Sequence, residues 1–409
     1  MPYTSLLKIY YKNMQHLEIY EREYEKRIHS PSSRQFEISI RQAHRKTGYP
    51  AFYCYTEDIL LTIQHIYESF QNIQHISQRM PKTLMEQYAY SCLIDEVQAT
   101  NDIEGVRSTK KQIKNVLEDQ PVPHDVQHLS SVIDKYKKII SHEELHFATC
   151  QDIRMFYDDF VLREVLQEHP DYAPDGKVFR ADSVEIASKT AQTRHIGIAP
   201  EETIISYMDQ ALRILHDPGI PLLIRLSVFH YLFEYIHPFY DGNGRTGRFI
   251  VSYYLAQEFN VSLASRLSIV INKNKNKYYK LFEETNSERN RGDLTPFILS
   301  FLSFIETAAA ESVAILARKE KQWRAFQEKL DSILGRQDTL TRNLYDLLLQ
   351  ASAFYGLGIT MESMMKLTGK TRATVKSRLD NIPGDHLVVN TRVKPYHYKL
   401  NMSLFQKEK

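Results

Sequence analysis

The chain has 409 residues, with 52 Lys and Arg against 50 Asp and Glu and a net charge of +2; it is long enough for roughly two or three domains, and its charge balance excludes a strongly basic nucleic-acid coat while leaving room for a local basic patch. Its three cysteines, Cys54, Cys92 and Cys150, are odd in number and far apart, which excludes a disulfide framework or a zinc knuckle and suits a reducing cytoplasm. The N-terminus lacks the apolar core of a signal peptide, no apolar run is expected to reach the ~18 residues that span a bilayer, and no membrane partner is expected.

Residues 1–50 are polar, of mixed charge and rich in tyrosine, and are expected to form a helical arm or cap. Over 56–78, Ile59, Leu60, Ile63, Ile66, Tyr67, Phe70 and Ile73 recur at helical spacing. A second helix is expected to open at Pro81, since proline is tolerated in a first turn, and to close at Gly105, a natural residue beyond a helix end. A loop at 120–126 leads into helices between 129 and 168. Residues 176–200 hold two short β-prone runs around a polar turn, the pattern of a hairpin. Helices resume at Glu201 and continue to about Lys319. The most apolar stretch, 221–236, carries Arg225 and Glu234 and suits a buried helix. Residues 318–328 are hydrophilic and read as a bridge. From Thr339 the order helix, helix, Gly369, helix and the alternating run 386–400 predicts a winged helix-turn-helix.

The densest chemistry lies at 237–248, H-P-F-Y-D-G-N-G-R-T-G-R. Pro238 disfavours the α conformation at His237, so the apolar helix should end there and leave His237 at a loop mouth, where a general base can work. Asp241 offers a hard oxygen ligand of the kind Mg²⁺ takes beside nucleotide phosphates. Gly242, Asn243 and Gly244 form a loop whose backbone N–H groups can cradle an anion. The helix starting near Gly244 turns its positive end to the same place. Arg245 and Arg248 are three apart and share a helix face, and guanidinium forks match phosphate oxygens. A base, a metal ligand, an anion nest and two arginines within twelve residues describe a polyphosphate site.

This run resembles the signature HPFx[D/E]GNGRxxR of Fic-domain proteins, with each fixed position filled, and the preceding H-Y-L-F-E-Y-I resembles the family's HxxFxxI. The resemblance implies a protein adenylyltransferase moving AMP from ATP, with Mg²⁺, to a Ser, Thr or Tyr hydroxyl. It implies that His237 deprotonates the hydroxyl and that Asp241 holds Mg²⁺. Asn243, with the amides of Gly242 and Gly244, would stabilise the α-phosphate, and Arg245 and Arg248 would clamp the β- and γ-phosphates. Phe239 would pack inward, His230 would be structural, and Thr246 and Gly247 would keep the helix start slim. The 176–200 hairpin resembles the family's flap, which registers an extended target segment by β-augmentation; Ala187 and Ser188 stand where a glycine pair is frequent. Tyr278 and Tyr279 resemble a Tyr-Tyr helix near the adenine, with core packing and nucleotide contact both open.

Residues 100–105, T-N-D-I-E-G, place Thr100 and Glu104 on one helix face. A carboxylate in a last helical turn faces the negative end of the helix dipole and invites a cationic partner. The run resembles the inhibitory motif [S/T]xxxE[G/N] of the same family, which implies that Glu104 pairs with Arg248 and misplaces ATP. The expected fold class is therefore mainly α: an N-terminal helical region with the inhibitory helix (1–120), a Fic-fold helical core with a small β-hairpin flap (121–318) and a winged helix domain (319–409). In the last, Lys370, Arg372, Lys376 and Arg378, with Arg392 and Lys394 on the wing, can reach phosphates, while Thr371 and Thr374 can reach base edges; contact with DNA, contact with protein and a homodimer stay open. Two alternatives to transfer are a DNA-binding regulator with a nucleotide-sensing Fic core, and a hydrolase in which Glu104 positions water to remove AMP.

Overall fold

The computed structural model describes residues 3–117, 129–187, 193–335, 337–355, 358–391 and 394–405. The architecture is mainly helical, with three small antiparallel sheets. Two compact units divide it: residues 1–72 with 92–313, and residues 73–91 with 314–409. The expected regions 1–120 and 121–318 thus fall largely within one packed body.

The helix Glu57–Gln78 lies where its apolar spacing places it. The helix Lys82–Glu104 starts directly after Pro81 and ends at Gly105, whose φ is +83°. Thr149 opens the helix Cys150–Tyr157 with a capping box: its hydroxyl accepts from Asp152 N–H at 3.1 Å, and the Asp152 carboxylate accepts from Thr149 N–H at 2.9 Å. The helix Leu222–Ile236 is buried around most of its circumference, as its near-continuous apolar sequence requires. The loop expected at 120–126 lies outside the described residues.

The N-terminal segment departs from the expected helical arm. Helices Leu6–Lys12 and Leu17–Ile28 are followed by strands Ser33–Arg41 and Gly48–Cys54, an antiparallel hairpin with an irregularity between Gln35 and Ser39. Phe36, Ile38 and Ile40 alternate with Glu37 and Ser39, the period-two pattern of a half-buried strand. Leu6, Tyr20, Tyr24, Ile28, Phe52 and Cys54 form a core of their own. The hairpin is tied to the 292–294 turn: Phe52 N–H donates to Gly292 O at 3.0 Å and Leu294 N–H donates to Phe52 O at 2.7 Å. The buried Asp293 accepts from the Tyr3 hydroxyl at 2.7 Å and from Arg27 at 3.2 Å.

The hydrophilic stretch 318–328, read as a bridge, is helical. It continues the helix Thr295–Leu334, because Lys, Arg, Glu and Gln are good helix formers and Glu320 pairs with Arg324 at 2.6 Å and with Arg79 at 2.6 Å. This helix is long and apolar enough to cross a membrane by length and composition, although no such run was expected from the sequence. Its Phe297, Ile298, Phe301, Leu302 and Ile305 are buried in the protein.

In the second unit the helix Thr339–Gln350 is followed by the short strand Ile359–Thr360, the helix Met361–Thr368, a turn at Gly369 and the helix Arg372–Asp380. The strands Leu387–Asn390 and His397–Leu400 then form a sheet in which the last strand is central. Thr371 caps the helix Arg372–Asp380, and its hydroxyl and that of Thr374 bond each other at 2.9 Å. Both hydroxyls expected at base edges are therefore engaged in the cap. Arg392 lies outside the described residues.

Gly292 has a φ of +74°, and a Cβ there would overlap the Pro50 carbonyl oxygen. We expect Gly292→Ala to cost about 1–3 kcal/mol through the left-handed backbone and the lost approach. Urea unfolding followed by tyrosine fluorescence checks this, and an unchanged midpoint contradicts it.

Candidate active site

The apolar helix stops where Pro238 forbids its continuation. His237 takes φ 54° and ψ 63°, and its N–H closes the helix on Phe233 O at 2.9 Å. The last carbonyls of a helix need donors from outside it, and Arg180 supplies them. Its Nε donates to His237 O at 2.8 Å and its Nη2 to Ile236 O at 3.2 Å and Ile198 O at 2.8 Å. Burial lowers the Arg180 pKa to about 10, which leaves it charged at neutral pH. This buried cation fixes the base of the flap and the backbone of His237 together.

The His237 imidazole is nearly buried, with Nδ1 3.4 Å from Glu234 O. Burial, with His195 and Arg180 nearby, lowers its pKa to about 3. It is neutral at working pH, the state a general base requires.

The loop after His237 is braced from within. Phe239 is buried and stacks on Tyr157 at 3.6 Å between ring centroids. The Asn243 side chain bonds both sides of one peptide unit: Oδ1 accepts from Phe239 N–H at 3.0 Å and Nδ2 donates to Phe239 O at 2.8 Å. Asn243, expected at the α-phosphate, is here a buried staple that fixes the loop with one bond from each end of its amide. Thr246 donates to Gly242 O at 2.9 Å and tightens the first turn of the helix Asn243–Glu258. The Asp241 carboxylate accepts from Gly242 N–H at 2.5 Å through Oδ1, and the Tyr157 hydroxyl fixes the Asp241 carbonyl at 3.0 Å. No cluster of three or more His, Cys, Asp or Glu able to hold a metal occurs among the described residues. Asp241 thus fits a one-carboxylate ligand set completed by phosphate and water, not a cage made by the protein alone.

The two arginines share a helix face but not a destination. Arg245 is buried in an ion pair with the buried Glu164 of the helix Arg163–Glu168, a contact that braces the two helices through Nη1. Arg248, also buried, donates from Nε to the Thr100 hydroxyl at 3.1 Å, from Nη2 to Thr100 O at 3.1 Å, and from Nη2 to Glu104 at 2.7 Å. Burial opposes its charge, and Glu104, Tyr278 and Glu234 outweigh that and raise its pKa.

Gly244 lets Glu104 come close. A Cβ at Gly244 would lie 2.9 Å from the Glu104 carboxylate carbon and 3.0 Å from Arg248 Nη1. The carboxylate therefore sits at the positive end of the helix Asn243–Glu258, where unpaired N–H groups and the helix dipole favour an anion. The C-terminal end of its own helix is served as well: Lys275 donates to the Asp102 and Ile103 carbonyls, and the Tyr279 hydroxyl donates to Ile103 O at 3.0 Å. Glu96, Thr100 and Glu104, four apart, line one face of this helix. Glu96 is fully buried against Ser268, and burial raises its pKa to about 7.

Glu104, Gly244, Arg248, His237 and Tyr279 line a cavity of about 120 Å³; Asp241, Asn243 and Arg245 do not line it. Small-molecule sites measure roughly 300–1,000 Å³, a range above this cavity. Tyr278 is buried, bonds His230 at 2.8 Å and also lines this cavity; His230 is a core residue that does not line it. Burial lowers the His230 pKa to about 3. The flap strands Glu185–Ala187 and Thr193–Ile196 pair antiparallel; Ser188 and the rest of the tip, 188–192, lie outside the described residues.

Sequence reasoning missed Arg180, Glu96, His195 and Glu234 as parts of this site. Glu234 carried a signal, since a carboxylate in an otherwise apolar helix one turn before His237 is out of place. Burial and the adjacent Glu104 push its pKa up to about 8 against the pull of Arg248, and it is neutral below that.

Residues 148–255 match the Fic/DOC family. The protein adenylyltransferase fic-1 of Caenorhabditis elegans is 23% identical over 213 residues, 47% of this chain and 36% of that protein; the chain thus matches about a third of its length. A solved Fic family protein from Desulfovibrio desulfuricans is similar with a TM-score of 0.54 at 20% identity, covering 87% of this chain and 99% of that one. The chain therefore has the Fic fold, and the segment holding the His237–Arg248 loop, residues 148–255, is the part that matches the Fic/DOC family.

Proposed function

We propose that this protein transfers AMP from ATP to a protein hydroxyl and is held inactive by Glu104. The observation that carries the reading is the Glu104 carboxylate lodged between Arg248 and Gly244, beside His237, where an anionic phosphate would otherwise sit. With Glu104 withdrawn, the N-terminus of the helix Asn243–Glu258 and Arg248 receive the polyphosphate. Neutral His237 accepts the proton of the target hydroxyl, whose oxygen attacks the α-phosphorus. The bond from the α-phosphorus to the bridging oxygen breaks, and diphosphate leaves. Asp241 would hold a Mg²⁺ ion, which when bound neutralises phosphate charge. The flap strands would pair with an extended segment of the target. A cytoplasmic setting suits ATP as the donor.

A second reading concerns the helix Arg372–Asp380. Lys370, Arg372, Lys376 and Arg378 are exposed around it, and such a surface favours phosphate contact by a winged helix. A DNA probe shifted with salt-dependent affinity supports it; no shift at low salt dismisses it.

Glu104→Gly removes one charge-assisted hydrogen bond to Arg248 and opens the cavity. Labelling of the chain or of target protein with AMP should rise about ten- to a hundred-fold, and Arg248→Ala added to it should abolish the gain. An unchanged rate contradicts inhibition, and a loss of AMP-removing activity instead assigns Glu104 to hydrolysis.

In the Glu104→Gly background, His237→Ala should lower transfer by about 10²–10⁴-fold while leaving ATP binding intact. Wild-type labelling by that variant removes His237 from the chemistry.

The pH profile follows from burial. His237 is neutral above its lowered pKa of about 3, so the base form persists as pH falls from 8 to 5. In the activated background kcat/KM should show no step near pH 6.5; a step there that vanishes with His237→Ala shows an ordinary, solvated imidazole.

A further inference from the structure

Away from the catalytic loop, the end of the N-terminal hairpin, the chain leaving the flap and the start of the helix Glu201–His216 enclose a second cavity of about 300 Å³. Ser39, Arg41, Lys46, Thr203, Tyr207 and Tyr235 supply its polar lining, and none of its described lining residues is Asp or Glu. The neighbouring arginines are paired: Arg34 holds Asp217 at 2.5 Å and Arg45 holds Glu288 at 3.6 Å. Arg41 and Lys46 have no carboxylate partner among the described residues. Tyr235, nearly buried, accepts from Arg41 N–H at 2.9 Å and donates to Ser39 O at 3.3 Å, which holds the hairpin backbone and places Arg41 at the cavity. Thr203 stands in the first turn of the helix Glu201–His216, which also carries Glu201 and Glu202; the Glu201 carboxylate is turned onto the N–H groups of Lys177, Val178 and Phe179 and is not part of the lining.

We propose that this cavity is an anion site taking a phosphate or carboxylate group. The Arg41 guanidinium and the Lys46 ammonium converge on a volume at the lower end of small-molecule sites, beside the Thr203 side chain and with no negative group lining it. Its inner wall is the Tyr235 ring, which stacks on His195 at 4.9 Å, and His195 in turn lines the cavity of Glu104 and His237. An anion bound here lies one pair of stacked rings from the catalytic loop. The inference does not depend on the AMP-transfer reading, because its tests measure binding. The anion can come from a free phosphorylated compound or from an acidic side chain of a bound protein segment.

Inorganic phosphate and a tetra-aspartate peptide should each be titrated into the full chain by calorimetry, with wild type and Arg41→Ala/Lys46→Ala compared. At least one probe should bind wild type, more weakly as salt rises, and the double variant should lose about tenfold or more in affinity. Hydrogen exchange should slow at 39–48 and 198–207 in the bound state. Binding of phosphate alone identifies a free phosphorylated ligand, and tighter binding of the peptide identifies an acidic segment. Absence of binding by both probes at millimolar concentration overturns the proposal. Equal affinity in the double variant, or protection confined to 237–248, does so as well. Both cations are exposed, and matched thermal melts confirm that the variant is folded.

Discussion

The structure turns on one carboxylate at the start of one helix. A helix N-terminus attracts an anion through its unpaired N–H groups and its dipole, and in this protein Glu104 supplies that anion from a different helix. Three conditions let it do so. Gly244 carries no side chain where the carboxylate lies, Arg248 reaches it at 2.7 Å, and Thr100 one turn earlier accepts from the same guanidinium. Adding a side chain at 244 would displace the carboxylate.

The surroundings hold both halves of this contact in register. Lys275 and Tyr279 bind the last carbonyls of the helix that ends in Glu104, offsetting the unfavourable placement of a carboxylate near a negative helix end. On the facing side, Asn243 and Tyr157 fix the loop, the Arg245–Glu164 pair braces the helix, and Arg180 binds the carbonyls at the end of the helix before His237. Polar groups deep in the fold are thus spent on positioning, and Glu104 holds Arg248 and the adjoining helix N-terminus beside the His237 ring. Glu234 and Glu96 add buried carboxyls near Arg248 whose pKa values are raised, so neither competes as a full charge at mildly acidic pH with Glu104 for the guanidinium.

Much of this was legible in the residues. Period and capping located the helices 57–78, 82–104 and 222–236, because apolar spacing and Pro or Gly punctuation act locally. The 237–248 loop was legible for the same reason: its glycines, histidine and acid lie within twelve residues. The hairpin 33–54 was legible in the alternation of Phe36, Ile38 and Ile40 but hidden by the overall polarity of the segment. What could not be read was which distant partner claims a side chain. A helix face tells that Arg245 and Arg248 are neighbours, not that Glu164, 81 positions earlier, neutralises one of them. Likewise Asn243 carries the chemistry of a phosphate ligand, and only the folded loop reveals that both ends of its amide are already bonded. Arg180 sits in an unremarkable polar stretch, and its importance arises from three carbonyls brought to it by the fold.

The central claim is that Glu104 and the nucleotide polyphosphate compete for Arg248 and the adjoining helix N-terminus. The most direct measurement is a double-mutant cycle on ATP binding by calorimetry, using wild type, Glu104→Gly, Arg248→Ala and the pair. If the claim holds, Glu104→Gly tightens ATP by about ten- to a hundred-fold, and the gain disappears when Arg248 is also replaced. Additive effects, with Glu104→Gly tightening ATP equally whether or not Arg248 is present, would contradict it.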